Sequence, residues 1–275
     1  MLVRILKELF MRGLSFLLLL LSLFSGCSSL TKEPSDADIN AQALKAYTEV
    51  KSKSKLSTNA EWKVMLDRVA TRIAKSSGEN FQWEWMLIDG PEINAWCMPG
   101  GKMAVYTGIM PVLKTEAALA AVLGHEVAHA TKRHGKERYA RAMKTNITGI
   151  AVGLATVLGG QIFCKTETCR KLTTLSGAAA GFALQFFDMK YSRTDETEAD
   201  EVGQIYMAKA GYDPSESMKL WERMGAANKG KAPPEILSTH PSDSTRKSNL
   251  ESWLPRANEI YSKAPQQFGT GQMIR

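Results

Sequence analysis

The sequence has no dense block of basic residues, although its formal charge is +7. Lysines and arginines are spread along the chain without aromatic interleaving or a nucleic-acid motif, so we expect no nucleic-acid partner. Histidine is scarce, with four among 275 residues. The hydrophobic share of 44% and the charged share of 23% are ordinary for a globular protein, which argues against wholesale disorder. The length suits one medium-sized domain behind a leader.

The N-terminal apolar run, Gly13–Phe24, is too short to span a bilayer comfortably and has the length of a signal-peptide core. Cys27 follows it within "SGCSS", which resembles the lipobox of bacterial lipoproteins. The resemblance implies a lipoprotein signal peptide over residues 1–26, cleavage before Cys27 and acylation of its thiol. Phe24 departs from that pattern, because leucine is usual three residues before the cysteine.

Two features of the leader stay open. An ordinary signal peptide with a chance cysteine is the alternative to a lipoprotein signal, and Met11 instead of Met1 is an alternative start. Ser28, directly after the cysteine, is similar to the signal that sorts lipoproteins to the outer membrane. We therefore expect a lipid-anchored protein of the bacterial cell envelope that faces the periplasm, at the outer membrane.

Patterning divides the rest of the chain into three parts. Residues 27–58 start polar and become weakly helical, which predicts a tether and a lead-in helix. Residues 59–262 combine several helical patterns with extended runs, two of which flank a predicted turn at Pro99-Gly100-Gly101. The prediction is an α+β domain that is mainly helical with a small β-sheet. Residues 263–275 are predicted to be a C-terminal tail.

Residues 145–187 are unusually apolar, and glycines interrupt them. They predict either a buried helical hairpin or a hairpin that dips into the membrane surface. Cys164 and Cys169 bracket a short loop within this stretch and are candidates for a disulfide in an oxidising periplasm, or for two free thiols in a surface turn. Cys97 is expected to be a buried small apolar residue.

Three of the four histidines lie in one predicted helix, which starts at the N-cap Thr115 and runs through His134. His125 and His129 are four residues apart and share a helix face, while Glu126 lies one step round it. Neutral imidazole suits Zn²⁺, and a catalytic zinc needs three protein ligands and an open position. The HExxH spacing therefore predicts a zinc site with Glu126 as general base. Chance is the alternative unless a third ligand is found.

The third ligand is predicted on a second helix. His134 is five residues from the second histidine and on another helix face, so we expect it only to hydrogen-bond at the helix end. Glu196 and Asp200 lie four apart in "SRTDETEAD" and share a face. A glutamate ligand from another helix is a standard arrangement. The aspartate can then accept a hydrogen bond from a ligand histidine, while Glu198 is expected to be solvated.

Four motifs occur in an order that resembles peptidase family M48: "NAWCMPGGKMAVYTGIM", "LAAVLGHEVAHATKRH", "SRTDETEAD" and "STHPSDSTR". The resemblance covers about residues 60–250. It implies a zincin-like fold and a zinc endopeptidase in which His125, His129 and Glu196 bind one Zn²⁺, Glu126 is the base and Asp200 supports the ligands. The leader with its cysteine is similar to the LoiP-type periplasmic lipoprotein proteases of this family.

The same resemblance assigns His240, in "STHPSDSTR", to a loop position close to the metal. As a regulatory fourth ligand it would occupy the open coordination position; the alternative is that it only anchors the loop. Arg246 is either an oxyanion stabiliser or the partner of a carboxylate. Both alternatives stay open at the sequence level.

The expected substrates are unfolded or misassembled envelope proteins, bound in extended conformation along Asn94, Ala95, Trp96, Cys97 and Met98. Cys97 departs from the small residue that is usual in this strand. Such binding uses hydrogen bonds to the substrate's main chain more than contacts with its side chains, so broad specificity is expected. The alternative function is an outer-membrane assembly factor or chaperone with minor proteolysis, which would add the envelope assembly machinery to its partners.

Overall fold

The structure is a computed structural model that describes residues 34–145, 186, 190–227, 235–240 and 245–275. Its helices are α1 (Asp36–Lys53), α2 (Ala60–Ser77), α3 (Met110–Leu113), α4 (Glu116–Thr131), α5 (His134–Thr145), α6 (Arg193–Lys209), α7 (Glu216–Ala227), α8 (Glu235–Thr239) and α9 (Arg246–Ser262). Its strands are β1 (Glu84–Ile88), β2 (Ala95–Met98) and β3 (Lys102–Tyr106), and a 3₁₀ turn, Thr107–Ile109, follows β3. The predicted α+β class, mainly helical with a small sheet, is confirmed.

The three strands form one sheet in the order β1-β3-β2, with β3 parallel to β1 and antiparallel to β2. The predicted turn at Pro99-Gly100-Gly101 joins β2 to β3. Gly100 and Gly101 have φ values of 77° and 80°, which glycine adopts at little cost because it has no Cβ. This turn leaves β2 as the edge strand beside α4.

The sheet has helices on both faces, because side chains alternate along each strand. Met86, Ile88 and Trp96 pack with residues of α1 in one apolar cluster. Leu87 and Met103 point the other way and join the larger cluster, which includes residues of α2 and α4. The lead-in helix is therefore packed on the sheet, and it belongs to the same packed unit as the rest of the described chain.

Helix α4 begins as the sequence predicts. Thr115 is its N-cap, and its side chain accepts a hydrogen bond from the backbone N–H of Ala118 at 3.1 Å. Every residue of α4 is buried, so the helix runs through the centre of the domain, and polar side chains on it are enclosed by protein.

The end of α4 differs from the prediction, which extended it through His134. The helix ends at Thr131, Arg133 adopts a left-handed conformation with φ of 61°, and α5 begins at His134. A residue with a Cβ rarely adopts such a φ inside a helix, so the chain changes direction at this point. The change places His134 at the start of a new helix beside α4.

Two glycines allow α4 and α6 to cross closely. A Cβ on Gly124 would lie 2.7 Å from the carbonyl oxygen of Gly203, and a Cβ on Gly203 would lie 2.7 Å from the backbone nitrogen of His125. These distances are too short for a side chain at either position. The contact brings the first turn of α6, with Glu196, over the histidines of α4.

The predicted tail, residues 263–275, packs along the domain. The N–H of Ile274 donates to the carbonyl oxygen of Lys114 at 2.9 Å, and isolated bridges pair Thr115 with Met273 and Tyr212 with Gly269. The tail thus contacts both the N-terminus of α4 and the turn between α6 and α7.

Several predictions concern residues outside the described ranges: the signal peptide and Cys27, the Cys164–Cys169 loop, and almost all of 145–187. They stay predictions. Cys97 is buried as a free thiol, as expected. Among the residues that the structure describes, no helix combines the length and the apolar character that crossing a membrane requires.

Candidate metal centre

Four buried side chains converge between α4 and α6. His125 and His129 come from the middle and end of α4, Glu196 from the first turn of α6, and His240 from the residue that follows α8. One ligand atom from each of the four lies within 4.8 Å of the other three. The structure therefore brings together the three predicted zinc ligands and the predicted fourth group.

The ligand atoms surround one point. The Nε2 atom of His125 lies 3.1 Å from Nε2 of His129 and 3.1 Å from Nδ1 of His240. The oxygens of Glu196 lie 3.5 Å from His125 Nε2, 3.4 Å from His129 Nε2 and 3.0 Å from His240 Nδ1. Four ligands at zinc-binding distances of about 2.0–2.1 Å occupy the corners of a tetrahedron with edges of about 3.3 Å. Five of the six spacings between the four side chains are 3.0–3.5 Å, close to these edges.

The donor chemistry also fits a cation. In a neutral imidazole one nitrogen carries a proton and the other a lone pair. Nδ1 of His125 faces Asp200 Oδ1 at 2.9 Å, and Nδ1 of His129 faces a ring nitrogen of His134 at 3.0 Å. If both Nδ1 atoms donate, both Nε2 atoms present lone pairs to each other at 3.1 Å. Such a contact repels unless a cation or a proton lies between the atoms.

The pKa values of His125, His129 and Glu196 show which charge this point favours. Burial opposes protonation of His125, but its hydrogen bonds to Asp200 and Glu196 outweigh burial and raise its pKa to about 10. Burial holds the pKa of His129 well below its usual value. Burial also opposes ionisation of Glu196, but the charge of His240 and the hydrogen bonds from His125 and His129 hold its pKa well below the usual range. The cluster is therefore built for positive charge.

Glu126 lies beside the four groups and is not one of them. Its Oε1 atom is 3.5 Å from Nε2 of His240 and has no hydrogen-bond partner among the described residues. Burial raises the pKa of Glu126, while a hydrogen bond from the backbone of Cys97 acts in the opposite direction. A carboxylate that is buried, incompletely paired and adjacent to a metal-binding cluster has the properties of a general base.

Asp200 and Arg246 form the support of this cluster on one side. The Nε atom of Arg246 donates to Asp200 Oδ2 at 2.5 Å, and its Nη2 donates to Glu196 Oε2 at 2.7 Å. Of the two predictions for Arg246, the geometry shows carboxylate pairing. Asp200 accepts from His125 as predicted, so the arginine holds the two carboxylates in place.

Three contacts were not anticipated from the sequence. Tyr191 stacks on His129 with ring centroids 3.7 Å apart, and Trp221 contacts His125 edge-on at 5.5 Å. Glu198, expected to be solvated, accepts a hydrogen bond from His134 at 3.0 Å while its side chain stays 43% exposed. Tyr191 directly precedes the "SRTDETEAD" motif, which gives a weak signal, whereas nothing local marks Trp221.

The predicted substrate strand lies next to the base. Asn94 to Met98 include all of β2, and each of these residues is buried. The N–H of Ile236 in α8 donates to the carbonyl oxygen of Ile93 at 3.4 Å. The segment that carries His240 is therefore bonded to the chain at the start of this strand.

Comparisons with known proteins agree with the site. Residues 56–254 match the model of Peptidase family M48. The chain is 39% identical over 198 residues to the mitochondrial metalloendopeptidase OMA1 of Schizosaccharomyces pombe, an alignment that covers 70% of this chain and 53% of that protein. The corresponding protein of Saccharomyces cerevisiae is 35% identical over 193 residues, with coverages of 68% and 51%.

A bacterial relative is more distant. The Beta-barrel assembly-enhancing protease of Escherichia coli is 28% identical over 179 residues, with 65% of this chain and 35% of that protein covered. The chain thus spans about half the length of the mitochondrial relatives and about a third of the bacterial one.

Proposed function

The chain belongs to peptidase family M48, as its motifs predicted, and from this premise we propose that it is a zinc-dependent endopeptidase with a zincin-like fold. The convergence of His125, His129 and Glu196, with the incompletely hydrogen-bonded carboxylate of Glu126 beside them, carries the proposal. A zinc ion bound there would supply an activated water and polarise the scissile carbonyl.

Glu126 is the proposed general base. It takes a proton from the attacking water and transfers it to the leaving amine. Burial raises its pKa, which moves its proton affinity toward that of the groups with which it exchanges protons near neutral pH. Asp200 orients His125 by accepting its Nδ1–H, and Arg246 offsets part of the negative charge of Asp200 and Glu196.

Peptide substrates are proposed to extend along Asn94–Met98 as an added strand at the edge of the sheet. Ile93, directly before this segment, is bonded to α8, so the residues that carry His240 lie beside the start of the proposed substrate strand. His240 is accordingly proposed as a regulatory fourth ligand that occupies the open coordination position. Its Nδ1 atom lies close to His125 and Glu196, which supports this assignment.

The proposed setting is the bacterial cell envelope, with the protein lipid-anchored through Cys27, facing the periplasm at the outer membrane. Its substrates there are unfolded or misassembled envelope proteins. The leader motif supports the anchor, and the similarity to a Beta-barrel assembly-enhancing protease supports an envelope role. Release of a Cys27→Ala variant into the soluble fraction would support the anchor, while retention in the membrane fraction would argue for another attachment.

The central experiment measures metal content and casein cleavage for the wild type and for Glu126→Gln. The variant is expected to retain one zinc per chain and to lose cleavage, because glutamine can accept the backbone hydrogen bond but cannot take up the proton. Residual cleavage at the wild-type rate would exclude Glu126 as the base. A wild type that binds no zinc would exclude the proposal as a whole.

His240→Ala tests the regulatory ligand in the same assay. Higher casein cleavage than in the wild type is expected, because the fourth position is then open. Lost cleavage would instead give His240 a role in catalysis or in maintaining the site.

An outer-membrane assembly factor is the second candidate, and the name of the Escherichia coli relative favours it. Complementation of an envelope assembly defect separates the two functions. If Glu126→Gln restores assembly as well as the wild type, client binding is the main activity. If it does not, proteolysis is.

A further inference from the structure

His134 is buried, with 2% of its surface exposed, and lies outside the four converging groups. Among the residues that the structure describes, each of its ring nitrogens has one partner. Nδ1 lies 3.0 Å from Nδ1 of His129, and Nε2 lies 3.0 Å from Oε2 of Glu198. The break between α4 and α5 creates this contact, since a helix continued through residue 134 would turn the ring away from His129.

The proton positions along these contacts are set by the groups at the two ends of the row, a metal bound to His129 and the carboxylate of Glu198. When Nε2 of His129 binds a metal, the neutral ring carries its proton on Nδ1. Nδ1 of His129 is then the donor and Nδ1 of His134 the acceptor. His134 must consequently hold its own proton on Nε2, which faces the carboxylate of Glu198. Every donor in the row meets an acceptor, and only one arrangement of protons achieves this.

The row ends at the protein surface. The side chain of Glu198 is 43% exposed, and its other oxygen pairs with Lys132 at 2.7 Å. The two zinc-binding histidines are therefore supported differently: His125 by a buried aspartate, and His129 by an imidazole that reaches a surface ion pair.

We infer that His134 and Glu198 are positioning residues that fix the ring orientation and tautomer of His129 for metal binding. The inference rests on the proposed zinc site. Groups of this kind around metal ligands change affinity by about 10–100-fold when they are lost. Neither residue touches the metal or the substrate, so their effect should show in metal affinity as well as in turnover.

The test compares His134→Asn with His134→Leu, two side chains with the same number and branching of heavy atoms that differ in hydrogen bonding. The amide oxygen of asparagine can accept from Nδ1 of His129, and leucine cannot. Zinc affinity is measured by competition with a chelator, and the visible absorption spectrum of the cobalt-substituted protein reports ligand geometry. Thermal unfolding of the metal-free variants shows whether each one folds.

We expect zinc affinity about 10–100-fold below the wild type for His134→Leu, with an altered cobalt spectrum. His134→Asn should recover most of this loss. Glu198→Ala should weaken zinc binding several-fold, and Glu201→Ala, which removes a surface carboxylate of α6 that pairs with Arg256, should leave it unchanged.

Equal affinities for the asparagine and leucine variants would overturn the role of the hydrogen bond, whether both are normal or both are weakened. An unchanged affinity in Glu198→Ala would overturn the part assigned to Glu198. If these variants behave as the wild type while the wild type binds zinc and cleaves casein, the inference fails and the proposed function stands. If the wild type binds no zinc, both fail.

Discussion

Helix α4 carries a buried glutamate at its N-terminal end and another near the middle, and their surroundings differ. Glu116 accepts hydrogen bonds from Arg68 at two distances of 2.9 Å and from the hydroxyl of Tyr212 at 2.7 Å. The backbone N–H of Gln272 adds a bond at 3.2 Å. Glu126, ten residues further on, has an oxygen with no hydrogen-bond partner among the described residues.

The pKa values move in opposite directions as a result. Burial opposes ionisation of both residues. At Glu116 the hydrogen bonds from Arg68 and Tyr212 outweigh burial and lower its pKa. At Glu126 burial prevails and the pKa rises. A buried carboxylate whose oxygens are both hydrogen-bonded contributes to stability. A buried carboxylate with one oxygen that lacks a donor can accept a proton from a reactant.

The sharpest test of this contrast changes each glutamate to glutamine. Glu126→Gln should lower casein cleavage by about 10²–10⁴-fold with little effect on stability, because glutamine removes the proton acceptor but can keep the hydrogen bond from the backbone of Cys97. Glu116→Gln should lower the free energy of unfolding by about 3 kcal/mol, because its amide N–H₂ would face the N–H groups of Arg68 or Gln272. Cleavage at permissive temperature should be retained.

Both variants are measured by guanidinium unfolding and by cleavage rate per folded molecule. The contrast would be wrong if Glu116→Gln lost cleavage while fully folded, or if Glu126→Gln were strongly destabilised.

The second prediction concerns the pH dependence of metal binding. The pKa of His125 in the metal-free chain is raised to about 10, so between pH 6 and pH 8 the ring carries a proton that zinc must displace. Zinc affinity should therefore rise about tenfold per pH unit, or about 100-fold over this range. Chelator competition, corrected for protonation of the chelator, measures the slope. An affinity independent of pH would mean that His125 is neutral before zinc binds.

Asp200 provides a third test, with a smaller expected effect. Both of its oxygens are hydrogen-bonded, as in Glu116, but it lies beside the metal-binding groups, as Glu126 does. Asp200→Asn keeps an oxygen that can accept from His125 but loses the charge that pairs with Arg246. We expect zinc affinity to fall by about tenfold. The same competition assay measures it, with Glu201→Gln on the next position of α6 as the control. An equal loss of zinc affinity in the control would mean that removing any negative charge from this helix weakens binding, and that Asp200 has no specific part in it.

Much of the fold follows from local sequence signals. Asn59 and Gly78, residue types that are typical of helix ends, are the N-cap and the C-cap of α2. Thr115 caps α4, and the Pro-Gly-Gly turn joins two strands. These features depend on residues close together in the chain, so the pattern alone is sufficient.

The site was predictable only in part. Same-face spacing on two helices indicated His125, His129, Glu196 and Asp200 as partners, although it could not supply their distances. The close crossing at Gly124 and Gly203 supplies them, and it depends on packing between distant segments. The helix break before His134 also escaped prediction, because Arg133 is an unusual residue for a left-handed conformation and tertiary contacts hold it there.

Tyr212→Phe has the smallest expected effect. It tests whether the hydrogen bonds around Glu116, at the N-terminal end of α4, influence the zinc site further along the helix. The hydroxyl of Tyr212 donates to Glu116 and accepts from Nη1 of Arg72 at 2.7 Å. Phenylalanine removes both bonds, keeps the ring that packs near Phe268, and leaves Arg68 paired with Glu116. We expect a loss of about 1.5 kcal/mol in the free energy of unfolding, with zinc affinity unchanged. A weakened zinc site in this variant would show that the two carboxylates of α4 are energetically coupled, so that the separation of stability from chemistry along the helix would no longer hold.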